Sequence, residues 1–313
     1  MRMPLPMIFL SISIFVFTAL LAVCYLLGSQ LVAAARAQVP VPHGFKPETL
    51  KISSESGKFL AAWLLEGDPA KGAVLLLHGI RANRSVLVER ARFLHAAGYT
   101  VLMIDFQAHG ESEGHRITLG YLESLDARSA LNYLHQRYPK KSLAVIGVSL
   151  GGAAALLGIE PKSLDALIIE SAYAHIFTAI RNRLELRFGR WGAWLLPIFT
   201  LQIHFRLGID PELLNTGGKI KNFSCPLLVI GGGLDQRTKP KDSMDLFQAA
   251  PQGRKQFWLI PDAKHEDFHL HQKQRYEQKV LQFFKHNLKN HDEKIAALSS
   301  EKIPRKQILP QVN

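Results

Sequence analysis

Residues 143–152 of the chain read L-A-V-I-G-V-S-L-G-G. Residues 143–146 are apolar and predict a short buried strand, whereas residues 153–157 predict a helix. Residues 147–151 between them fit the pattern G-x-S-x-G, in which a serine occupies a tight strand-to-helix turn. The backbone at such a serine is strained, so the flanking glycines let strand and helix approach without Cβ clashes. The pattern therefore predicts that Ser149 presents its hydroxyl beyond the end of the strand.

Further short apolar runs alternate with stretches of helical spacing along the rest of the chain. These runs lie at 73–77, 100–104, 166–169, 227–230 and 257–260. Fully apolar strands separated by helices are typical of a parallel sheet covered on both faces. The chain therefore predicts an α/β fold with a mostly parallel sheet. Two earlier runs, 49–52 and 59–65, flank a polar turn and predict a hairpin.

One interval breaks the alternation of strands and helices. Residues 172–224 are too many for a simple crossover between two neighbouring strands. We predict that they form an inserted helical segment, called the cap below. The cap divides the α/β core into a first part, residues 38–171, and a second part, residues 225–289. The polar residues 290–313 after the core predict a disordered tail.

The predicted cap combines positive charge with apolar surface. Its simplest interpretation is a helical lid that packs its apolar side on the core and leaves its arginines in water. The alternative is that its basic, tryptophan-bearing surface also rests on a membrane. The residues concerned are Arg181, Arg183, Arg187, Arg190, Trp191, Trp194 and the apolar run 195–201.

The amino terminus predicts a transmembrane helix. Residues 7–27 contain no charged residue, and about 20 apolar residues are enough to cross the hydrocarbon core of a bilayer. We predict that residues 1–37 are a single-pass anchor with its flank. Residues 35–37 match an A-x-A cleavage pattern, so a removed signal peptide and a secreted or periplasmic protein are the alternative. The membrane side of the remaining chain stays open, because basic residues flank both ends of the span.

The charge balance points to an anionic partner. The chain has 38 Lys and Arg against 26 Asp and Glu, a formal net charge of +12. Nucleic acid and membrane surfaces both attract such a protein. No nucleic-acid recognition motif accompanies the charge, and the apolar amino terminus favours the membrane. We therefore predict no nucleic-acid partner.

A serine hydroxyl is a weak nucleophile, and it needs a base, an acid that orients the base, and donors for an oxyanion. Asp235 follows a glycine-rich strand end, and His265 follows the next predicted strand. The amide of Leu150, at a predicted helix start, and the amide of Ile80, after the strand 73–77, are the candidate oxyanion donors. The histidines near the end of the chain lack a matching set of further ligands, so we predict no metal and no cofactor.

The order Ser149, Asp235, His265 resembles that of the α/β-hydrolase superfamily, in the branch of esterases and S33-type serine peptidases with an amino-terminal membrane segment. The resemblance spans roughly 49–284 and includes L-H-G at 77–79 and D-F-Q-A-H-G-E-S at 105–112.

This resemblance implies an α/β-hydrolase fold with a helical cap. It also implies a membrane-anchored serine hydrolase that cleaves a small-molecule or lipid-like carboxylic ester through an acyl-enzyme, with Ser149, Asp235 and His265 as its triad. The alternatives are a serine peptidase or amidase with the same triad and a non-catalytic binding module on the same fold.

Overall fold

The computed structural model describes residues 4–288 of the chain. The predicted tail at 290–313 therefore lies outside the described residues. The helices are α1 (Leu5–Val32), α2 (Val88–Ala96), α3 (Tyr121–Arg137), α4 (Leu150–Gly158), α5 (Ile176–Phe188), α6 (Leu196–Leu207), α7 (Thr216–Ile220), α8 (Pro240–Ala249), α9 (Phe268–His271) and α10 (Lys273–Asn287). The strands are β1 (Ala35–Arg36), β2 (Glu48–Ser53), β3 (Phe59–Leu65), β4 (Ala73–Leu77), β5 (Thr100–Ile104), β6 (His109–Gly110), β7 (Leu143–Val148), β8 (Ala166–Glu170), β9 (Leu227–Gly232) and β10 (Lys255–Ile260).

One sheet organises the core of the molecule. Its eight strands follow the order β10-β9-β8-β7-β4-β5-β3-β2. The six strands from β10 to β5 run parallel, whereas β3 pairs antiparallel with both β5 and β2. The predicted α/β fold with a mostly parallel sheet, and the predicted antiparallel hairpin, are confirmed. The parallel strands end together at one edge, which is where loops can carry a site.

Both faces of the sheet are buried. Every side chain of β4 is inaccessible, and successive residues point to opposite faces. Leu75 and Leu77 belong to a core cluster with α3, α4 and α8, whereas Val74 and Leu76 belong to a cluster with α2 and α10. A strand that contacts helices on both faces needs apolar residues at every position, which explains the continuous apolar runs of the sequence.

Between β8 and β9 the cap forms helices α5, α6 and α7. It packs on the core through an apolar cluster that joins Ala153 of α4 to Tyr173, Ile176 and Ile203. The cap therefore covers the region where α4 begins. The domain boundaries given above stay a prediction.

Helix α1 is long and apolar enough to cross a membrane, with a mean hydropathy of 2.6 in its most apolar window. Its large side chains from Leu5 to Val23 are mostly exposed, but Cys24 is buried against Leu184 and Phe199 of the cap. After α1, strand β1 pairs in parallel with β6. The end of α1 is thus attached to the folded domain, whereas most side chains of the helix before Cys24 are exposed.

Candidate active site

Ser149 occupies the turn that joins β7 to α4. Its backbone angles are φ 52° and ψ −108°, a strained combination for a residue with a side chain. The turn is so tight that a Cβ on Gly147 would lie 2.7 Å from the carbonyl oxygen of Gly151. Glycine is therefore required where the strand passes the helix. The structure gives Ser149 the backbone that the G-x-S-x-G pattern predicts.

Two backbone segments lie beside this serine. Leu150 is the first residue of α4, and the first amides of a helix have no partner within the helix. The loop after β4 approaches from the other side, since a Cβ on Gly79 would be 3.6 Å from the Cβ of Ser149. Ile80, the next residue, lines the same cavity as Ser149. The two predicted oxyanion donors thus belong to segments that flank the serine.

His78 supports the loop that carries Ile80. Its ring is fully buried, accepts the Phe106 N–H at Nε2 over 3.1 Å, and contacts the carbonyl oxygen of Gly79 through Nδ1 at 2.8 Å. Burial, together with the nearby His109, lowers the pKa of His78 to about 3. The ring therefore stays neutral at physiological pH and acts as a structural support of the loop.

Asp235 and His265 form a hydrogen-bonded pair. Asp235 Oδ2 lies 2.7 Å from His265 Nδ1. The other carboxylate oxygen accepts the backbone N–H groups of Arg237 and Thr238, each over 2.8 Å. Asp235 is buried, whereas the His265 side chain is 18% exposed. The carboxylate is held rigidly and directs the second ring nitrogen of His265 away from itself.

The three predicted triad residues follow β7, β9 and β10, whose carboxyl ends share one edge of the sheet. The structure joins Asp235 to His265, but among residues 4–288 no hydrogen bond links Ser149 Oγ to the His265 ring. The triad as a catalytic unit therefore stays a prediction. In the same part of the chain, no group of three His, Cys, Asp or Glu residues could hold a metal ion.

Ser149 lines a cavity of about 950 Å³ under the cap. Ile80 and Leu150 line it from the core, Ile180 and Ile203 from the cap. Part of its wall comes from the last turns of α1 and the residue that follows them: Leu27, Gly28, Gln30, Leu31, Val32 and Ala33. An apolar cavity of this size is typical of a small-molecule site. The sequence did not predict that the apolar amino-terminal helix contributes to it.

The cavity wall is also positively charged. Five arginines line it and, among the described residues, no Asp or Glu does: Arg81, Arg183, Arg187, Arg206 and Arg237. The simplest interpretation of the cap sequence leaves the cap arginines in water. Arg187 is indeed exposed at the edge of the cavity, whereas Arg183 is only partly exposed. Both lie on the helix face of Ile176 and Ile180, at i+7 and i+11 from the first of these, so helical spacing could have revealed their position.

Solved structures of known proteins share this fold. An esterase from Pyrococcus furiosus superposes with a TM-score of 0.65 at 23% identity, over 82% of this chain and 98% of that one. The α/β hydrolase GrgF from Penicillium superposes with a TM-score of 0.61 at 16% identity, over 78% of this chain and 99% of that one. The chain has the α/β-hydrolase fold, as the sequence resemblance implied.

Sequence comparison gives a consistent result. The model of the family described as "Serine aminopeptidase, S33" matches residues 68–216. Protein bem46 of Schizosaccharomyces pombe is 25% identical over 245 residues, covering 74% of this chain and 76% of its own length. An uncharacterised membrane protein of Saccharomyces cerevisiae is 27% identical over 242 residues, covering 74% of this chain and 79% of its own length. These comparisons support a hydrolase.

Proposed function

We propose that this protein is a membrane-anchored serine hydrolase that cleaves carboxylic esters with lipid-like acyl groups. One observation carries the proposal: Ser149 sits in a strained turn beside a largely apolar cavity, at the sheet edge that also holds the hydrogen-bonded Asp235–His265 pair. Strain at one buried serine is costly and is typical of functional sites. The esterase from Pyrococcus furiosus shares the fold that would support this reaction.

The proposed reaction has two steps. His265 takes the proton of the Ser149 hydroxyl as its oxygen attacks the ester carbonyl, and the Ile80 and Leu150 amides stabilise the oxyanion. The protonated His265 then donates its proton to the departing alcohol, which leaves an acyl-enzyme. Water, deprotonated by His265, attacks the acyl carbon and releases the acid and Ser149. Asp235 holds the imidazole in the required tautomer throughout.

In this proposal the Ser149–His265 hydrogen bond forms when substrate enters. Catalytic hydrogen bonds are often long or poorly aligned in unliganded enzymes and tighten in the complex. The partial exposure of His265 leaves its ring room to move, whereas buried Asp235 stays fixed by two backbone amides.

Labelling with a fluorophosphonate probe tests the proposal. The wild-type protein should be labelled at Ser149, and Ser149→Ala should not be labelled while it retains its melting temperature. Folded wild-type protein that reacts with no fluorophosphonate and hydrolyses no ester would refute the hydrolase and favour a binding module.

A serine peptidase or amidase is the second candidate, and the match to the S33 serine aminopeptidase family favours it. The same triad serves both reactions, so the distinction lies in the leaving group. A panel of acyl esters and aminoacyl amides should give larger kcat/KM values for the esters. A larger value for an aminoacyl amide would support the peptidase instead.

We further propose that α1 is retained as a single-pass anchor. Its exposed apolar side chains, from Leu5 to Val23, would be unfavourable in water but are stable in lipid, and a related yeast protein is named as a membrane protein. The exposed tryptophans of the cap, Trp191 and Trp194, would then rest on the same membrane. A carboxyl-terminally tagged protein should keep the full mass of 35.0 kDa plus the tag and resist alkaline extraction from membranes. Cleavage after residue 37 would contradict this.

A further inference from the structure

We infer that the last two turns of α1 are part of the substrate site and that the acyl chain of the substrate lies between α1 and α6. The inference rests on the proposed function, since it locates the acyl group of that reaction. It specifies the substrate class as a long-chain acyl ester that reaches Ser149 from the membrane.

The end of α1 forms part of the cavity wall. Residues 27, 28 and 30–33 of the chain line the cavity that contains Ser149. Leu27 and Leu31 also pack against the buried cluster of Cys24, Leu184 and Phe199. The end of α1 therefore packs on the cap and also forms part of the cavity wall. Without it, one side of the cavity would be open.

Polar contacts hold this part of α1 on the cap. Arg206 of α6 donates to Ser29 Oγ over 2.8 Å and to the Tyr25 carbonyl over 2.5 Å, and its guanidinium lies 3.9 Å from the centre of the Tyr25 ring. Gln202 of α6 donates to the Cys24 carbonyl over 3.3 Å. Both carbonyls lie inside α1, so these side chains add hydrogen bonds to those of the helix itself. The contact is thus built into both helices.

The length of α1 places this contact at the membrane surface. The helix has 28 residues, whereas about 20 residues cross the hydrocarbon core. If the span begins at Leu5, about eight residues, from Tyr25 to Val32, extend beyond it. The residues of α1 that line the cavity all belong to this stretch, and Cys24, which packs on the cap, directly precedes it. The cavity wall therefore begins where the membrane span ends.

An apolar groove leads from the span to the cavity. It has a volume of about 530 Å³ and lies between Leu21, Tyr25 and Leu26 of α1 and Leu201 and Phe205 of α6. Gln202 lines both the groove and the cavity, so the two adjoin there. A lipid acyl chain matches an apolar groove that opens toward the bilayer.

The experiment measures kcat/KM for p-nitrophenyl esters of two to sixteen carbons with the full chain in lipid nanodiscs. Leu31→Trp should fill the cavity beside α1 and lower the ratio of the dodecanoyl to the butyryl value at least tenfold. Leu20→Trp makes the same change at a position of α1 that lines neither the groove nor the cavity, and it should keep the wild-type ratio. Gly28→Leu is a second variant, because a Cβ there meets the Gln202 side chain at the junction of groove and cavity.

The outcomes distinguish a failure of the acyl site at α1 from a failure of the proposed hydrolase activity. If folded Leu31→Trp and Gly28→Leu variants keep the wild-type ratio, or lose activity equally at every chain length, α1 is not part of the acyl site although the enzyme remains a hydrolase. If the wild-type protein hydrolyses no ester, the proposed function itself fails.

A second inference rests on charge instead of on α1. We infer that the substrate carries an anionic group, because five arginines and, among residues 4–288, no acid line the cavity. Arg81 and Arg206 are occupied by contacts with α1. Within the described chain, no Asp or Glu oxygen forms an ion pair with Arg183 or Arg237. These two guanidinium groups are therefore available to a phosphate or carboxylate.

Of these two arginines, Arg183 is the less exposed to solvent. Its Nη1 donates to the Ala179 carbonyl over 2.9 Å, a neutral acceptor. Burial lowers the pKa of Arg183, so its charge is only partly compensated. The nearby carboxylates of Asp235 and Asp242 hydrogen-bond instead to His265 and to Asn182. An anion in the cavity would supply the missing partner.

The test compares two esters with the same acyl chain, 1-oleoylglycerol and 1-oleoylglycerol 3-phosphate. The wild-type kcat/KM should be at least tenfold larger for the phosphate, and Arg183→Gln should reduce this preference at least fivefold. Arg190→Gln is the matched control, since Arg190 lies on the cap surface outside the cavity and stacks on Trp191. A wild-type protein without preference, or an Arg183→Gln variant that keeps it, would overturn the inference.

Discussion

Asp235 Oδ2 and His265 Nδ1 lie 2.7 Å apart, and this contact joins two loops that are thirty residues apart in sequence. The loops follow β9 and β10, which pair in parallel with Leu227 opposite Lys255. Because parallel strands end at the same edge, the register of this pair brings the carboxylate to the imidazole. The contact fixes which ring nitrogen faces the remaining space, and that nitrogen is the one a serine would use.

Replacement of Asp235 by Asn should lower kcat by about 10⁴-fold, the effect seen when a triad aspartate becomes an amide and the imidazole tautomer is wrong. Steady-state hydrolysis of a p-nitrophenyl ester measures it. Asp262→Asn is the matched control, because Asp262 lies on the loop of His265 but is exposed and contacts His271 and Gln272. Equal activity of the two variants would exclude Asp235 as the acid.

The Gly147→Ala variant should be destabilised by about 1–3 kcal/mol, the usual cost of forcing an extra methyl into a packed site. The new Cβ would lie 2.7 Å from both the Gly151 carbonyl oxygen and Gly152 Cα, where backbone cannot yield easily. Thermal unfolding in detergent measures the change. Gly218→Ala should melt close to the wild type, since its Cβ would meet only the Asn215 side chain at 3.5 Å. Unchanged melting of Gly147→Ala would refute this account of the turn.

The sheet and the serine turn could be predicted because their signals are local. The five residues of β4 are all apolar because both faces of the strand are covered, and Gly147 and Gly151 are needed by close backbone approach. Asp235 and His265 could be identified from the sequence for the same reason, since each follows a predicted strand. Such features need no knowledge of distant contacts.

The shape of the cavity could not be predicted, because it depends on how the cap and α1 pack together. The pairing of Arg206 with Tyr25 joins residues 181 positions apart, and no spacing rule connects them. An apolar run predicts a membrane span whether or not its last turns contact a cap. That Leu31 lines the cavity is therefore seen only in the folded chain.

Acidification should destabilise the protein through His78. The pKa of His78 is about 3 in the folded state and 6.5 ordinarily, so between these values only the unfolded chain binds the proton. The free energy of unfolding therefore decreases as the pH is lowered from 6.5. From pH 6.5 to pH 5 the loss is about 2 kcal/mol at 1.36 kcal/mol per unit. His78→Gln should lose less thermal stability than the wild type between pH 7 and pH 5.

Asp126 acts in the opposite sense, because burial raises its pKa from 3.8 to about 6 and acidification there favours the folded state. Since Asp126 is present in both proteins, its effect cancels in the comparison. Equal losses for wild type and His78→Gln would show that His78 does not stay neutral in the folded protein.

Tryptophan fluorescence should report whether the cap rests on the membrane. Trp191 and Trp194 are 63% and 78% exposed, whereas the other two tryptophans, Trp63 and Trp258, are buried in the core. Brominated lipids quench only tryptophans that reach the acyl region, so they should quench the full-length protein in nanodiscs. The Trp191→Phe/Trp194→Phe double variant should lose most of that quenching while its soluble-quencher response stays low. Equal quenching of both proteins would place the cap away from the bilayer, because the signal would then arise from the two core residues alone.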